Sequence, residues 1–221
     1  MLILAIDTAH KNGSLTLAQA DNNTFNALQT VAIDGGAFSA QLIPRLADAL
    51  AANHFAKTDI DAYIACVGPG SFTGLRIGLS GIKGLEEVLP RPIAAVSSLE
   101  ALAASAPANH SHLAALLDAG RSEFYVGEYR READNLLRES EALCTADELQ
   151  SLLKKGSTAI ASQPNVAELA RSAGASVIEV PEVDSVQIAR VGWRKLLAGE
   201  TISADLLDAN YLRRDESLFA R

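Results

Sequence analysis

Hydrophobic and polar positions fall into distinct regimes along this chain. Leu2 to Ile6 is apolar without interruption and stops at Asp7-Thr8, the pattern of a strand buried on both faces whose polar residues emerge at its C-terminal end. After the turn pair Asn12-Gly13, Ser14 to Ala18 alternates, and Asp21-Asn22-Asn23 turns the chain into Phe25 to Ile33. This spacing predicts an opening three-stranded antiparallel meander. Leu42, Leu46 and Leu50 then recur at i, i+4 and i+8 within Ser39 to Asn53. That segment is a predicted helix in which Pro44 removes one amide donor, so it either starts late or bends there.

A second apolar run, Tyr63 to Val67, ends at Gly68-Pro69-Gly70. A helical pattern follows from about Thr73 with Leu75, Leu79, Ile82, Leu85 and Leu89. Strand, glycine turn and helix are predicted, yet Gly74, Gly78, Gly81 and Gly84 all fall inside the helix, each at a cost of about 1 kcal/mol relative to Ala. At about 100° per residue, Gly74, Gly78 and Gly81 share one stripe almost free of side chains. Another backbone can approach it, belonging either to this chain's own sheet and helices or to a second polypeptide. Pro92 to Val96 reads as a further strand, and Ser97-Ser98-Leu99-Glu100 has the form of a capping box opening a helix to about Ser105.

The order βββαβαβα predicts α/β layering, the layout of the ribonuclease-H-like lobe of actin-like ATPases and sugar kinases. The polar stretch Ala106 to His112 is the expected boundary between an N-terminal lobe, 1–105, and a smaller C-terminal lobe, 106–221. In the second half, Leu113 to Leu117 and Glu123 to Tyr129 read as strands, and Thr145 to Glu148 as a second capping box. Thr158 to Ala161, Val166 to Ala173 and Ser176 to Val180 give strand, helix, strand. A final helix is expected at 186–198 with Gly199 as its stop, followed by a tail, 210–221, that could order on a partner. No internal repeat is visible at the level of sequence.

Composition narrows the function classes. The 221 residues are 48% apolar with a net charge of −8, and the pI near 5.0 counts against a surface that grips nucleic acid unaided. Cys66 and Cys144 have neither metal-ligand nor disulfide-framework spacing. The N-terminus has no basic region ahead of its short apolar run, and nothing approaches the roughly 18 apolar residues of a membrane span. A cytoplasmic protein without membrane attachment is the expectation.

Candidate chemistry is sparse. Gly68-Pro69-Gly70-Ser71-Phe72-Thr73-Gly74 sits where a helix N-terminus can receive an anion. Its glycine spacing nevertheless matches neither the Walker loop nor the dinucleotide fingerprint, and no Lys follows. Asp7 and Thr8, with Ser14 beyond the turn, occupy the place where actin-like ATPases hold metal and phosphate, or else Asp7 satisfies amides of its own turn. The four histidines form no helical zinc pair, and neither Ser71 nor Ser80 stands in a nucleophile elbow. Trp193 reads as core, and the paired basics Arg130-Arg131 and Arg213-Arg214, flanked by acids, as solvated faces.

Ile3-Leu4-Ala5-Ile6-Asp7-Thr8-Ala9, Gly68 to Gly78 (GPGSFTGLRIG), Val96 to Leu102 (VSSLEAL), Leu116 to Tyr129 (LLDAGRSEFYVGEY) and Asn210 to Arg214 (NYLRR) closely resemble, in order, the bacterial tRNA threonylcarbamoyladenosine biosynthesis family TsaB, also called YeaZ-like. The resemblance implies a two-lobed actin-like (ASKHA) fold without catalysis of its own. It also implies a scaffold role beside the catalytic paralogue TsaD and the ATPase TsaE, in forming N6-threonylcarbamoyladenosine in tRNAs that read ANN codons. The chain alone would form a homodimer, and it would meet tRNA only indirectly, through the complex. Interface contacts are implied at Leu42, Leu46, Gly70, Ser71, Phe72, Thr73, Gly74, Arg76, Ile77, Gly78 and Gly81. Asp7, Thr8, Gly68 and Gly70 are candidate nucleotide or anion contacts from their places at the strand end and in the glycine turn; no intrinsic cofactor is expected, and ATP or ADP would sit at the interface of the complex.

The paralogue's metal-binding H-M-E-G-H segment corresponds to Ser98-Leu99-Glu100-Ala101-Leu102, so both imidazoles are replaced. Two positions depart from the family pattern: Phe38 stands where His is usual, and Gly120 where the family has an Arg. The alternatives are an independent actin-like ATPase or phosphotransferase, and a zinc glycopeptidase.

Overall fold

The structure, a computed structural model, describes residues 1–132, 135–154 and 156–212. The described residues fold into two five-stranded sheets. In the first, β1 (Leu2–Asp7), β2 (Gly13–Ala20) and β3 (Phe25–Ile33) form the antiparallel meander, and β4 (Ile60–Gly68) and β5 (Ile93–Ser97) extend it in parallel on the other side, giving the order β3-β2-β1-β4-β5. Helix α1 (Phe38–Ala52) follows β3, α2 (Phe72–Val88) follows β4 and α3 (Ser98–Ala104) follows β5. Pro44 lies inside α1, which starts at Phe38 and runs through it, so the missing donor neither delays nor ends the helix.

The second sheet repeats that plan. β6 (His112–Gly120), β7 (Glu123–Glu132) and β8 (Asn135–Thr145) form a meander, and β9 (Thr158–Ala161) and β10 (Val177–Glu179) join β6 in parallel, giving the order β10-β9-β6-β7-β8. Counted from each lobe's own first strand, both sheets read 3-2-1-4-5. Helices α4 (Ala146–Leu153), α5 (Pro164–Ser172) and α6 (Ser185–Leu197) occupy the places of α1, α2 and α3. The repeat absent from the sequence is therefore present in the topology. Among the strands of the described residues, β8 is the one the sequence pattern did not predict.

Each lobe's third helix packs on the other lobe's sheet. α6 lies on β1, β2, β4 and β5, whereas α3 lies chiefly on β6 and β7. The core between the sheets joins Ile3, Ala5, Ile64, Cys66 and Val96 of the first to Leu113, Ala115 and Leu117 of the second, with Leu99 and Leu102 from α3 and Ile188 and Trp193 from α6. Strict side-chain alternation sends Leu4, Ile6, Leu15, Leu17 and Tyr63 to the opposite face, under α1 and α2. On the second sheet the same alternation sends Ala114, Leu116 and Val126 under α4 and α5. A boundary at 105/106 falls between the two sheets, but α6, although it comes late in the chain, covers the first.

Local signals hold the exchange in place. Ser97 and Glu100 complete the capping box of α3, and Glu100 pairs with Lys195 of α6 at 2.8 Å, linking the two exchanged helices. Asp184 caps α6, and Ser185 docks it on β2: its amide donates to Ser14 Oγ at 2.9 Å, and its hydroxyl bonds Thr16 Oγ1 at 2.7 Å. At Gly192 a Cβ would stand 2.3 Å from Ile64, so α6 approaches β4 backbone-close. Trp193 donates its indole N–H to the Asp21 carbonyl and packs on Phe25. Arg131, expected on a solvated face, instead donates to the Ala103 and Ala106 carbonyls at the end of α3.

Candidate functional site

Two surfaces adjoin the residues singled out in the sequence. The first is the cleft between the lobes, lined by Ala9, His10, Lys11, Gly70 and Ser71 on one side and by Leu117, Asp118, Gly120, Tyr125 and Gln163 on the other. Of the four expected anion contacts, only Gly70 lines it. Asp7 is 2% exposed and accepts the Ala9 amide at 2.9 Å, the turn-satisfying role. Thr8 is buried and donates its hydroxyl to the Gly74 carbonyl at 2.7 Å. Gly68, at φ +89°, packs against Leu75. The Ser71 amide at the mouth of α2 donates to the Ala9 carbonyl at 2.7 Å, so it is already engaged. Ser14 serves the docking of α6.

Burial raises the Asp7 carboxyl above its ordinary value of 3.8, opposed by His10 and the Ala9 amide. Burial and the neighbouring Asp7 push the Cys66 thiol well up, which leaves it protonated and unreactive. A raised carboxyl pKa means the folded state holds the proton more tightly than the unfolded one. Asp7 then lowers stability progressively as pH rises from about 3.8 through its folded value. Asp7→Asn keeps an acceptor for the Ala9 amide and cannot ionise. The difference in Tm, variant minus wild type, is expected to become more positive between pH 4 and pH 7. A difference that is flat or falls over that range would remove this account of Asp7.

The metal segment of the paralogue has no counterpart in donors. Ser98 bonds Cys66 Sγ at 3.2 Å, Leu102 is fully buried in the inter-sheet core, and Glu100 is occupied by Lys195. Among the described residues, no group of three His, Cys, Asp or Glu side chains is placed to hold a metal ion. Ser98, Leu99, Ala101 and Leu102 offer none of the imidazole ligands that the resemblance implies for the paralogue.

The second surface is an open groove of about 480 Å³ between α1 and α2, lined by Ser39, Leu42, Ile43, Phe72, Thr73, Arg76, Ile77, Ser80 and Gly81. Ile43 and Phe72 are each 51% exposed, an aliphatic and an aromatic side chain left open to solvent on adjacent helices. Arg76 places its guanidinium carbon 3.8 Å from the centre of the Phe72 ring, a cation–π contact that keeps a charge beside the apolar strip. The remaining expected interface residues divide. Ser71 caps α2, accepting from the Gly74 amide, and Thr73 is exposed beside it, while Ile77 is half-buried.

Other expected interface positions lie inside the lobe. Leu46 is on the buried face of α1, and Leu42 is buried against Gly81, where a Cβ would stand 2.7 Å from it. Gly74 and Gly78 face the end of β1: a Cβ would stand 2.0 Å from the Thr8 carbonyl oxygen at Gly74 and 2.3 Å from Thr8 Oγ1 at Gly78. The stripe is thus filled by this chain's own strand and helix, which corrects the expectation that Gly74, Gly78 and Leu46 meet a second polypeptide. Gly70 is likewise pressed on the Ala9 carbonyl. Phe38 is 6% exposed with its ring beside Gly13 and Gly74, so the position where His is usual here serves the core. Arg213 and Arg214 lie outside the described residues, as does the tail beyond Leu212. Ile43, Ser39 and Ser80 were missed because they fall outside the leucine and glycine series by which the two helices were read.

Paired 3-2-1-4-5 sheets with exchanged third helices define a two-lobed, actin-like α/β protein. The chain belongs to the family described as TsaD, tRNA N6-adenosine threonylcarbamoyltransferase, whose model matches residues 33–204. Within that family it is TsaB/YeaZ-like. It is 33% identical over 130 residues to the tRNA threonylcarbamoyladenosine biosynthesis protein TsaB of Bacillus subtilis, covering 59% of this chain and 56% of that one. It is 33% identical over 138 residues to the protein of the same name from Escherichia coli, covering 62% and 58%. The matched regions thus span little more than half the length of these curated relatives. The structure of YeaZ from Pseudomonas aeruginosa superposes with a TM-score of 0.74 at 22% identity, over 95% of this chain and all of that one. Among the described residues, no helix is long and apolar enough to cross a membrane.

Proposed function

We propose that this chain works in tRNA threonylcarbamoyladenosine biosynthesis as a non-catalytic scaffold that docks its catalytic paralogue through the α1–α2 groove. The observation that carries this reading is the groove itself, with exposed Ile43 and Phe72 beside the Arg76 charge. That is the composition of an interface centre, an aliphatic and aromatic anchor with an Arg beside it. Two further features support it. The residues corresponding to the paralogue's metal ligands are engaged in packing, and Asp7 and Thr8 are spent inside the lobe. In the complex the scaffold meets tRNA through its partner, a role compatible with the net charge of −8. ATP or ADP and the ATPase TsaE belong, in this reading, to the assembled complex in the cytoplasm. Without the paralogue the same face pairs two copies of the chain.

Mixing the chain with the threonylcarbamoyltransferase of the same organism is expected to give a heteromeric complex on gel filtration with light scattering. Two proteins that elute as they do alone, at concentrations up to tens of micromolar, would defeat the proposal.

A further inference from the structure

Residues 198–212 follow α6 and wrap the first lobe. The Ile202 amide donates to the Ile93 carbonyl at the free edge of β5, and Leu207 inserts, fully buried, into the core beneath α1 and α2. Asn210 then joins both lobes. Its amide donates to the Val67 carbonyl near the end of β4 at 2.7 Å, and its side-chain amide donates to Glu141 on β8 at 2.5 Å. The Glu141 side chain is only 4% exposed and accepts the Tyr129 hydroxyl as well, so it is fixed in the second lobe. The next residue, Tyr211, lies on the rim of the groove. Its ring is 5.3 Å from that of Phe72, and its hydroxyl accepts from Arg76 Nε at 3.2 Å.

Tyr211 remains 41% exposed while its neighbours are tied down, Asn210 by hydrogen bonds and Leu212 against the inter-sheet core. A buried residue of the second lobe therefore fixes the backbone from which an exposed aromatic of the first lobe's docking rim projects. We propose that Asn210–Tyr211 is a positioning element that couples the second lobe to the α1–α2 groove. Tyr211 adds its own ring to the docking surface and holds Phe72 and Arg76 in the geometry a partner meets, and Glu141 sets Tyr211. The inference rests on the docking reading given above and adds to it a contribution from outside the two helices.

The test measures affinity for the threonylcarbamoyltransferase by calorimetry, with Tm recorded for every variant. Tyr211→Ala is expected to weaken binding about tenfold with Tm unchanged, because an exposed aromatic is removed from an interface and not from the core. Tyr211→Phe, which keeps the ring on Phe72, should recover most of that loss. Glu141→Gln should weaken binding in the wild type yet have no further effect in Tyr211→Ala, the non-additivity expected of residues acting in series. If Glu141→Gln fails to fold, Asn210→Asp, which sets two carboxylates against each other, takes its place. Wild-type affinity for Tyr211→Ala, or effects of Glu141 and Tyr211 that simply add, would overturn the coupling. Ile43→Asp separates the two levels: if it too binds normally, the groove is not the docking face and the inference falls with that reading. If it abolishes binding while Tyr211→Ala does not weaken it, only the inference falls.

Discussion

Gly74→Ala lowers the stability of this protein by about 2 kcal/mol or more, whereas Gly84→Ala, on the same helix, raises it by up to about 1 kcal/mol. The two substitutions make the same intrinsic gain, since Ala exceeds Gly in helix propensity by about 1 kcal/mol. They differ in what the new methyl meets. At Gly84 nothing lies within 4 Å, and the gain stands alone. At Gly74 the methyl would stand 2.0 Å from the Thr8 carbonyl oxygen. That atom is backbone at the end of the central strand, and it cannot retreat without disturbing the β1–β4 pairing. The Thr8 hydroxyl, which donates to the Gly74 carbonyl at 2.7 Å, would be displaced with it. For a chain of this length about 1 kcal/mol corresponds to 2–4 °C in Tm. The expected shifts are therefore a fall of roughly 4–8 °C or more and a rise of roughly 2–4 °C. Thermal unfolding followed by circular dichroism checks both. Equal shifts of the same sign would mean that the glycine stripe does not seat α2 on β1.

If the α1–α2 groove docks the threonylcarbamoyltransferase as proposed, Ile43→Asp is expected to weaken that binding by about a hundredfold or more while leaving Tm within about 2 °C of the wild type. Ile43 is half exposed on α1, so a charge there remains solvated in the free chain and costs the fold little. In a complex the same carboxylate would be forced into the apolar centre of the interface without a partner, and burial of an uncompensated charge costs several kcal/mol. A hundredfold loss corresponds to about 2.7 kcal/mol, within that range. The combination is diagnostic, because a substitution that acted by unfolding would move both quantities. Unchanged affinity would place the docking surface elsewhere on the molecule.

Much of the fold could be read from local periodicity. The uninterrupted apolar run of β1, the leucine spacing of α1 and the capping boxes at Ser97 and Thr145 are each set by neighbours within a few residues, and each element was found. Strand β8 escaped because it is an edge strand with only a half-buried pattern, and Arg138, Glu139, Ser140 and Glu141 interrupt its apolar residues. The exchange of α3 and α6 is a long-range packing decision, and nothing in the amphipathic pattern of either helix says which sheet it will cover.

The site was legible in outline, in that the α1–α2 region could be named from the resemblance. Its details were not. A stripe of small residues shows only that some backbone comes close, and here the approaching atoms are those of Thr8 and Leu42 from the same lobe. The exposed surface is carried by Phe72 and Arg76, which the resemblance names, together with Ile43 and with Tyr211, which lies 135 residues from Arg76 in sequence. Asp7 and Thr8 occupy the position expected of phosphate and metal ligands. Whether such residues face the cleft or their own turn depends on side-chain directions that the sequence does not encode locally.

In the proposed reading the chain enables chemistry performed by another protein. The measurement that addresses it most directly is a reconstituted assay of N6-threonylcarbamoyladenosine formation on an ANN-reading tRNA. The assay contains the threonylcarbamoyl donor, the threonylcarbamoyltransferase and the ATPase, with and without this chain. The chain alone is expected to form no product. Adding it to the other components should raise product formation at least tenfold, and Ile43→Asp should abolish that increase. Modified tRNA formed by the chain alone, or full activity of the other components without it, would contradict the account.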